Sequence, residues 1–196
     1  MSQSRSIAVF CGSSSGSNPV YVAAARATGR AIAAAGHRLV YGAGSVGLMG
    51  EVADEVLRQG GRVLGVIPQF LVDLEVGHAG LTELVVTDTM HERKLAMAEA
   101  ADAFLALPGG IGTLEEIIEV FTWTQLGVHQ KQCGLLNVAG YYDRLIDFVD
   151  HMVGERFLKA GQATLLRVGT DPAALIEQLL YGEAGEMGRK WLTQKE

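Results

Sequence analysis

Residues 103–113 read Ala103-Phe104-Leu105-Ala106-Leu107-Pro108-Gly109-Gly110-Ile111-Gly112-Thr113. Five apolar residues are stopped by a proline and a glycine-rich turn, and a helical pattern runs on from residue 113 to about 126. This unit of short apolar strand, glycine turn and long helix recurs along the chain in both directions. Upstream, strands are expected at 6–11, 37–41, 62–67 and 83–86, with helices at 19–35, 47–59 and 90–101. Downstream, strands are expected at 133–138 and 164–168, with helices at 142–153 and from Pro172 onward. Asp171 followed by Pro172 is a strong helix start. Residues 69–80 read as a loop or a broken helix. Strands of four to six residues with little polar alternation are buried on both faces. The pattern therefore predicts an α/β domain, a mostly parallel sheet covered by helices in three layers.

The chain has 196 residues, the size of one domain, and 48% of them are hydrophobic. A single domain is expected over 1–181, with a polar tail over 182–196. Glycine is abundant, 25 residues, and it clusters where strands hand over to helices. The net charge of −6 and the lack of a basic block argue against nucleic-acid binding, which needs many phosphates neutralised. Cys11 and Cys133 form no CxxC and no disulfide framework. The sequence shows no signal peptide and no apolar stretch long enough to span a bilayer, so a cytoplasmic protein without membrane partners is expected. The five histidines form no HExxH and no cluster with cysteine, so no metal site is expected.

In open parallel sheets, ligands bind beyond the carboxyl ends of the strands. Three loops there are unusual: 11–17, 42–50 and 108–113. Gly42-Ala43-Gly44-Ser45-Val46-Gly47 matches GxGxxG. The dinucleotide fingerprint also needs an acidic residue after the next strand, and Val66-Ile67-Pro68-Gln69 supplies none. This loop is either a tight packing turn or an open helix N-terminus able to take an anion. In the third loop, three glycines expose backbone N–H groups at a helix start, where the dipole favours a phosphate. Thr113 and Glu116 fit a capping box, and Glu116 equally fits a catalytic carboxylate. Glu115 reads as a solvated first-turn acid. Thr89-Met90-His91-Glu92 is a second capping box, followed at once by Arg93 and Lys94. Cations at a helix start are disfavoured by the dipole, so they have either an anionic partner or full solvation.

The segment Met90-His91-Glu92-Arg93-Lys94, paired with Pro108-Gly109-Gly110-Ile111-Gly112-Thr113-Leu114-Glu115-Glu116, resembles the LOG ("lonely guy") family. Its members are cytokinin riboside 5′-monophosphate phosphoribohydrolases, often labelled lysine decarboxylases. The resemblance covers about residues 6–180. It implies a Rossmann-like fold, a homodimer, no cofactor, and a nucleoside monophosphate as substrate, split into free base and ribose 5-phosphate. It makes Arg93 and Glu116 catalytic. Lys94, Gly109, Gly110, Ile111, Gly112, Thr113, Thr122 and Gly44 would line the nucleotide site, with Glu75 near the base. Where the family's second loop has three glycines, this chain has Ala43, which implies an altered turn.

Overall fold

The computed structural model describes residues 4–74 and 77–183. Glu75 and most of the expected tail, 184–196, lie outside the described residues. The chain alternates β1 (Ser6–Phe10), α1 (Pro19–Ala34), β2 (Arg38–Tyr41), α2 (Gly47–Arg58), β3 (Arg62–Pro68), α3 (Gln69–Asp73), β4 (Glu83–Thr87), α4 (Met90–Ala100), β5 (Ala103–Ala106), α5 (Ile111–Leu126) and β6 (Gln132–Leu136). A short 3-10 turn (Val138–Gly140), α6 (Asp143–Gly154), α7 (Ala160–Ala163), β7 (Leu166–Gly169) and α8 (Pro172–Tyr181) complete it.

The seven strands form one parallel sheet in the order β4-β3-β2-β1-β5-β6-β7. The chain winds outward from β1 to β4, then restarts at β5 on the other side of β1. The crevice between the carboxyl ends of β1 and β5 is therefore the switch point where such sheets hold ligands. Successive strand residues point to opposite faces. Ile7, Val9, Leu39, Tyr41 and Leu105 join the core under α1, α2 and α8, while Ala8, Phe10, Val40, Phe104 and Leu135 join the core with residues of α4, α5 and α6. That is why the strands read as continuous apolar runs.

Three expectations shift. Residues 69–73 are helical, so the ambiguous segment begins as one short turn of helix. β4 is apolar in its middle, yet Leu84, Val85 and Val86 are each at least 41% exposed, because it is an edge strand with one neighbour. The helix expected from Thr113 begins two residues earlier, with Gly110 as its N-cap. Thr113 lies buried in the first turn and does not cap it. Asn18, the Thr89/Glu92 capping box and Asp171 cap the N-termini of α1, α4 and α8.

Candidate active site

Arg93 sits in the second turn of α4, aimed back over the sheet, and only 7% of it is exposed. Its Nε donates to the backbone carbonyl of Val66 on β3 at 3.1 Å. Its Nη1 donates to Glu116 Oε1 on α5 at 3.0 Å. Its Nη2 lies on the α-carbon of Gly42, where a Cβ would come within 2.0 Å. Three separate elements thus fix one guanidinium. Of the two readings left open for Arg93, an anionic partner or full solvation, the structure shows the first: its partner is Glu116. The capping reading of Glu116 falls with this: α5 has no side-chain cap, and the Glu116 carboxylate meets a buried cation.

Burial pushes the Glu116 carboxyl above the usual carboxylate range; the Arg93 charge and hydrogen bond pull against that shift without cancelling it. A largely buried carboxylate, held at one oxygen by a fixed arginine, suits general-base or charge-stabilising work.

Lys94 points elsewhere. Its ammonium bonds to Glu115 and lies 3.0 Å from Glu119 Oε2, tying α4 to α5. Glu115 is accordingly half-exposed and paired, not a solvated acid. Burial alone would lower the Lys94 pKa, but the two carboxylates outweigh it and hold it above its ordinary value.

The two glycine loops differ in a way the sequence did not reveal. At α2 the first amides are already taken: Leu48 and Met49 N–H donate to the Gly12 carbonyl at 3.0 and 3.3 Å. The open-terminus reading of that loop therefore falls. Gly44 is buried, forms a bridge with Gly77, and packs on Met49. Ala43 stands in the left-handed region at φ 58° and is fully buried, its methyl close to Gly65. Without glycine there, the turn costs about 1 kcal/mol of local strain.

At α5 the backbone N–H groups of Gly109, Gly110, Ile111, Gly112 and Thr113 have no acceptor among the described residues. A Cβ at Gly110 or Gly112 would meet nothing within 4 Å, whereas one at Gly109 would strike Thr113 Oγ1. Gly109 is a close-packed hinge, and Gly110 and Gly112 border open space. Ile111 is 81% exposed beside them.

Thr122 lies apart from this cluster. Six residues along α5 from Glu116, about 9 Å down the axis, it donates to the Ile118 carbonyl at 2.7 Å. It borders an apolar groove with Ile118, Phe121, Leu126 and Phe157. Trp123 packs against the core beneath α5. Sequence reasoning missed Gly42 as the seat of Arg93, although it is the first glycine of the GxGxxG match.

Cys11 directly follows β1, near the Glu116 carboxylate. Burial, and secondarily the Glu116 charge, push its thiol pKa far up. Native protein is expected to keep its activity in iodoacetamide, with Cys11 labelled only after unfolding. Peptide mass spectrometry checks this, and rapid native labelling would show that the β1 loop opens.

The family model described as "Possible lysine decarboxylase" matches residues 49–179. A probable cytokinin riboside 5′-monophosphate phosphoribohydrolase of Oryza sativa subsp. japonica is 49% identical over 178 residues, covering 91% of this chain and 78% of that protein. A cytokinin riboside 5′-monophosphate phosphoribohydrolase of Arabidopsis thaliana is 47% identical over 91% of this chain and 82% of its own length. One of Rhodococcoides fascians is 50% identical, covering 79% of this chain and 78% of that protein. Among solved structures, the molybdenum cofactor carrier protein of Chlamydomonas reinhardtii superposes with a TM-score of 0.68 at 22% identity, covering 91% of this chain and 98% of that one. At that identity the likeness speaks for the fold alone.

Proposed function

The chain belongs to the LOG family of cytokinin riboside 5′-monophosphate phosphoribohydrolases, and on that premise we propose that it hydrolyses the N-glycosidic bond of an N6-modified adenosine 5′-monophosphate. Water adds its oxygen to the ribose anomeric carbon, the bond to the base breaks, the base nitrogen takes up a proton from solvent in place of the one the water gives up, and free base and ribose 5-phosphate leave. The observation that carries this reading is the buried pair of Arg93 on α4 and Glu116 on α5, the helix whose N-terminus is open at the switch point of the sheet.

The roles follow from charge. Departure of the base leaves positive charge on the ribose ring, as in other glycosyl transfers. Glu116 opposes that charge and takes the proton from the attacking water. Arg93 keeps the carboxylate ionised and oriented. The phosphate rests on the free N–H groups from Gly109 to Thr113, so binding energy distant from the bond fixes the ribose for attack. Lys94, engaged by two carboxylates, holds α4 against α5 and adds positive potential. This also weighs against a decarboxylase using a Schiff base, which needs a lysine that deprotonates readily. Among the described residues there is no cluster of metal ligands.

A homodimer and a cytoplasmic setting complete the proposal. The exposed apolar groove bordered by Thr122 and Phe157, the latter 84% exposed, supports a second copy as its cover. Light scattering after size exclusion checks the dimer. Among the described residues no helix is long and apolar enough to cross a membrane, and phosphorylated nucleosides are substrates of the cell interior.

The activity is tested by incubating the protein with AMP and N6-isopentenyl AMP, with the matching nucleosides as controls, and resolving products by chromatography. Release of base and ribose 5-phosphate in equal amounts, from the monophosphates only, is expected. Binding of the nucleotides without release of base would overturn hydrolysis and leave a nucleotide-binding module.

A further inference from the structure

The loop from Leu107 to Gly109 is held from behind by three consecutive carbonyls. The Leu107 carbonyl accepts from the Tyr142 hydroxyl at 2.6 Å, the Pro108 carbonyl from Gly12 N–H at 3.1 Å, and the Gly109 carbonyl from the Tyr141 hydroxyl. No peptide bond here is cis, and in a trans peptide the N–H points opposite to the C=O. With their carbonyls turned toward these donors, the Gly109 and Gly110 N–H groups face away from them. They continue the row of acceptor-free amides that α5 begins. Such a run of N–H groups is an anion nest.

The peptide between Gly109 and Gly110 is the weak point of this nest. Gly109 must be glycine, because a Cβ would strike Thr113 Oγ1 at 2.1 Å and the Gly12 nitrogen at 2.8 Å. Glycine on both sides leaves that peptide free to turn over at little cost. A turned peptide would present a carbonyl, and not an N–H, to the phosphate. The Tyr141 hydroxyl is the group that holds it.

Tyr141 is itself well fixed. It follows the turn at Ala139 and Gly140, both at positive φ, and its ring stands edge-on to Tyr21 at 5.5 Å and to Tyr142 at 5.1 Å. Asn137 braces the segment, accepting from Tyr142 N–H at 2.8 Å and donating to Asp143 at 2.7 Å.

We propose that Tyr141 is a positioning residue for phosphate recognition, its hydroxyl locking the Gly109–Gly110 peptide with the N–H toward the ligand. The inference rests on the reading that the 5′-phosphate sits at the start of α5. Tyr142, buried beneath, holds the strand end and sets the base of the same loop.

The test is calorimetric binding of the two products, ribose 5-phosphate and free adenine, to the wild-type protein and to Tyr141→Phe. The variant keeps the ring and its aromatic neighbours and loses only the hydroxyl. Ribose 5-phosphate should bind Tyr141→Phe about tenfold more weakly, the scale of one hydrogen bond's net effect, with adenine binding and Tm unchanged. In turnover, KM for the monophosphate should rise with a smaller change in kcat. Equal ribose 5-phosphate affinity in both proteins, or equal weakening of both ligands, overturns the role of Tyr141. Failure of the wild-type protein to bind ribose 5-phosphate overturns the phosphate site itself, and this inference with it.

Discussion

Glu116→Gln is expected to reduce turnover by about a thousandfold, within the range set by loss of a catalytic base or charge stabiliser, while the protein stays folded. Glutamine keeps an oxygen that accepts from Arg93 Nη1, so the contact between α4 and α5 survives. What is lost is the negative charge opposite the ribose. Nucleotide affinity should change far less than kcat, because the proposed phosphate site is at the start of α5 and not at this carboxylate. Near-normal kcat in this variant would remove Glu116 from the chemistry.

The pH dependence gives a second check. The Glu116 carboxyl is raised above its ordinary value of 4.5, chiefly by burial. The ionised form is the working one, so kcat/KM should fall as pH drops through that raised value, well before ordinary carboxylates titrate. Stability runs the other way. The folded state holds this proton more tightly than the unfolded chain does. The stabilisation is full below the unfolded carboxyl pKa and is lost as pH rises through the folded one. Relative to Glu116→Gln, the wild-type protein should therefore lose stability between pH 4.5 and the raised value, and then run parallel to the variant. Thermal melts across that range measure it.

Arg93→Ala should abolish activity and also destabilise the fold by about 3 kcal/mol, as expected when one partner of a buried ion pair is removed. Arg93 is the group that opposes the upward shift of Glu116, so the orphaned carboxyl should hold its proton more tightly still. Its titration should then appear at higher pH, with any residual activity rising toward alkaline conditions. Gly42→Ala separates geometry from charge. A methyl there would lie 2.0 Å from Arg93 Nη2. The guanidinium, already fixed by Val66 and Glu116, has to move, and kcat should fall by about a hundredfold with the arginine still present. Gly154→Ala, where a methyl meets nothing within 4 Å and φ is not positive, is the control and should leave kcat unchanged. Normal kcat in Gly42→Ala would show that the position of Arg93 is not critical.

The sequence by itself determined the class of fold, because apolar strands and glycine turns leave local, periodic marks. All seven strands fall within two residues of their expected limits at both ends, β7 starting two residues late and ending one late. The motif around Arg93 and Glu116 was legible for the same reason: cations at a helix start demand an explanation wherever they occur. What only the tertiary structure decided was pairing over distance. Strand order, with β5 beside β1, depends on which buried faces fit one another, and it brings Gly12 and Pro108 together at the switch point of the sheet. The two glycine loops look alike in sequence. Only the folded chain brings the Gly12 carbonyl onto the amides of α2 and leaves those of α5 free. Thr113 misled because a capping pattern is local, while Gly110 could start the helix earlier at no steric cost. Tyr141 carries no mark at all in the sequence, since its role exists only through a carbonyl 32 residues away.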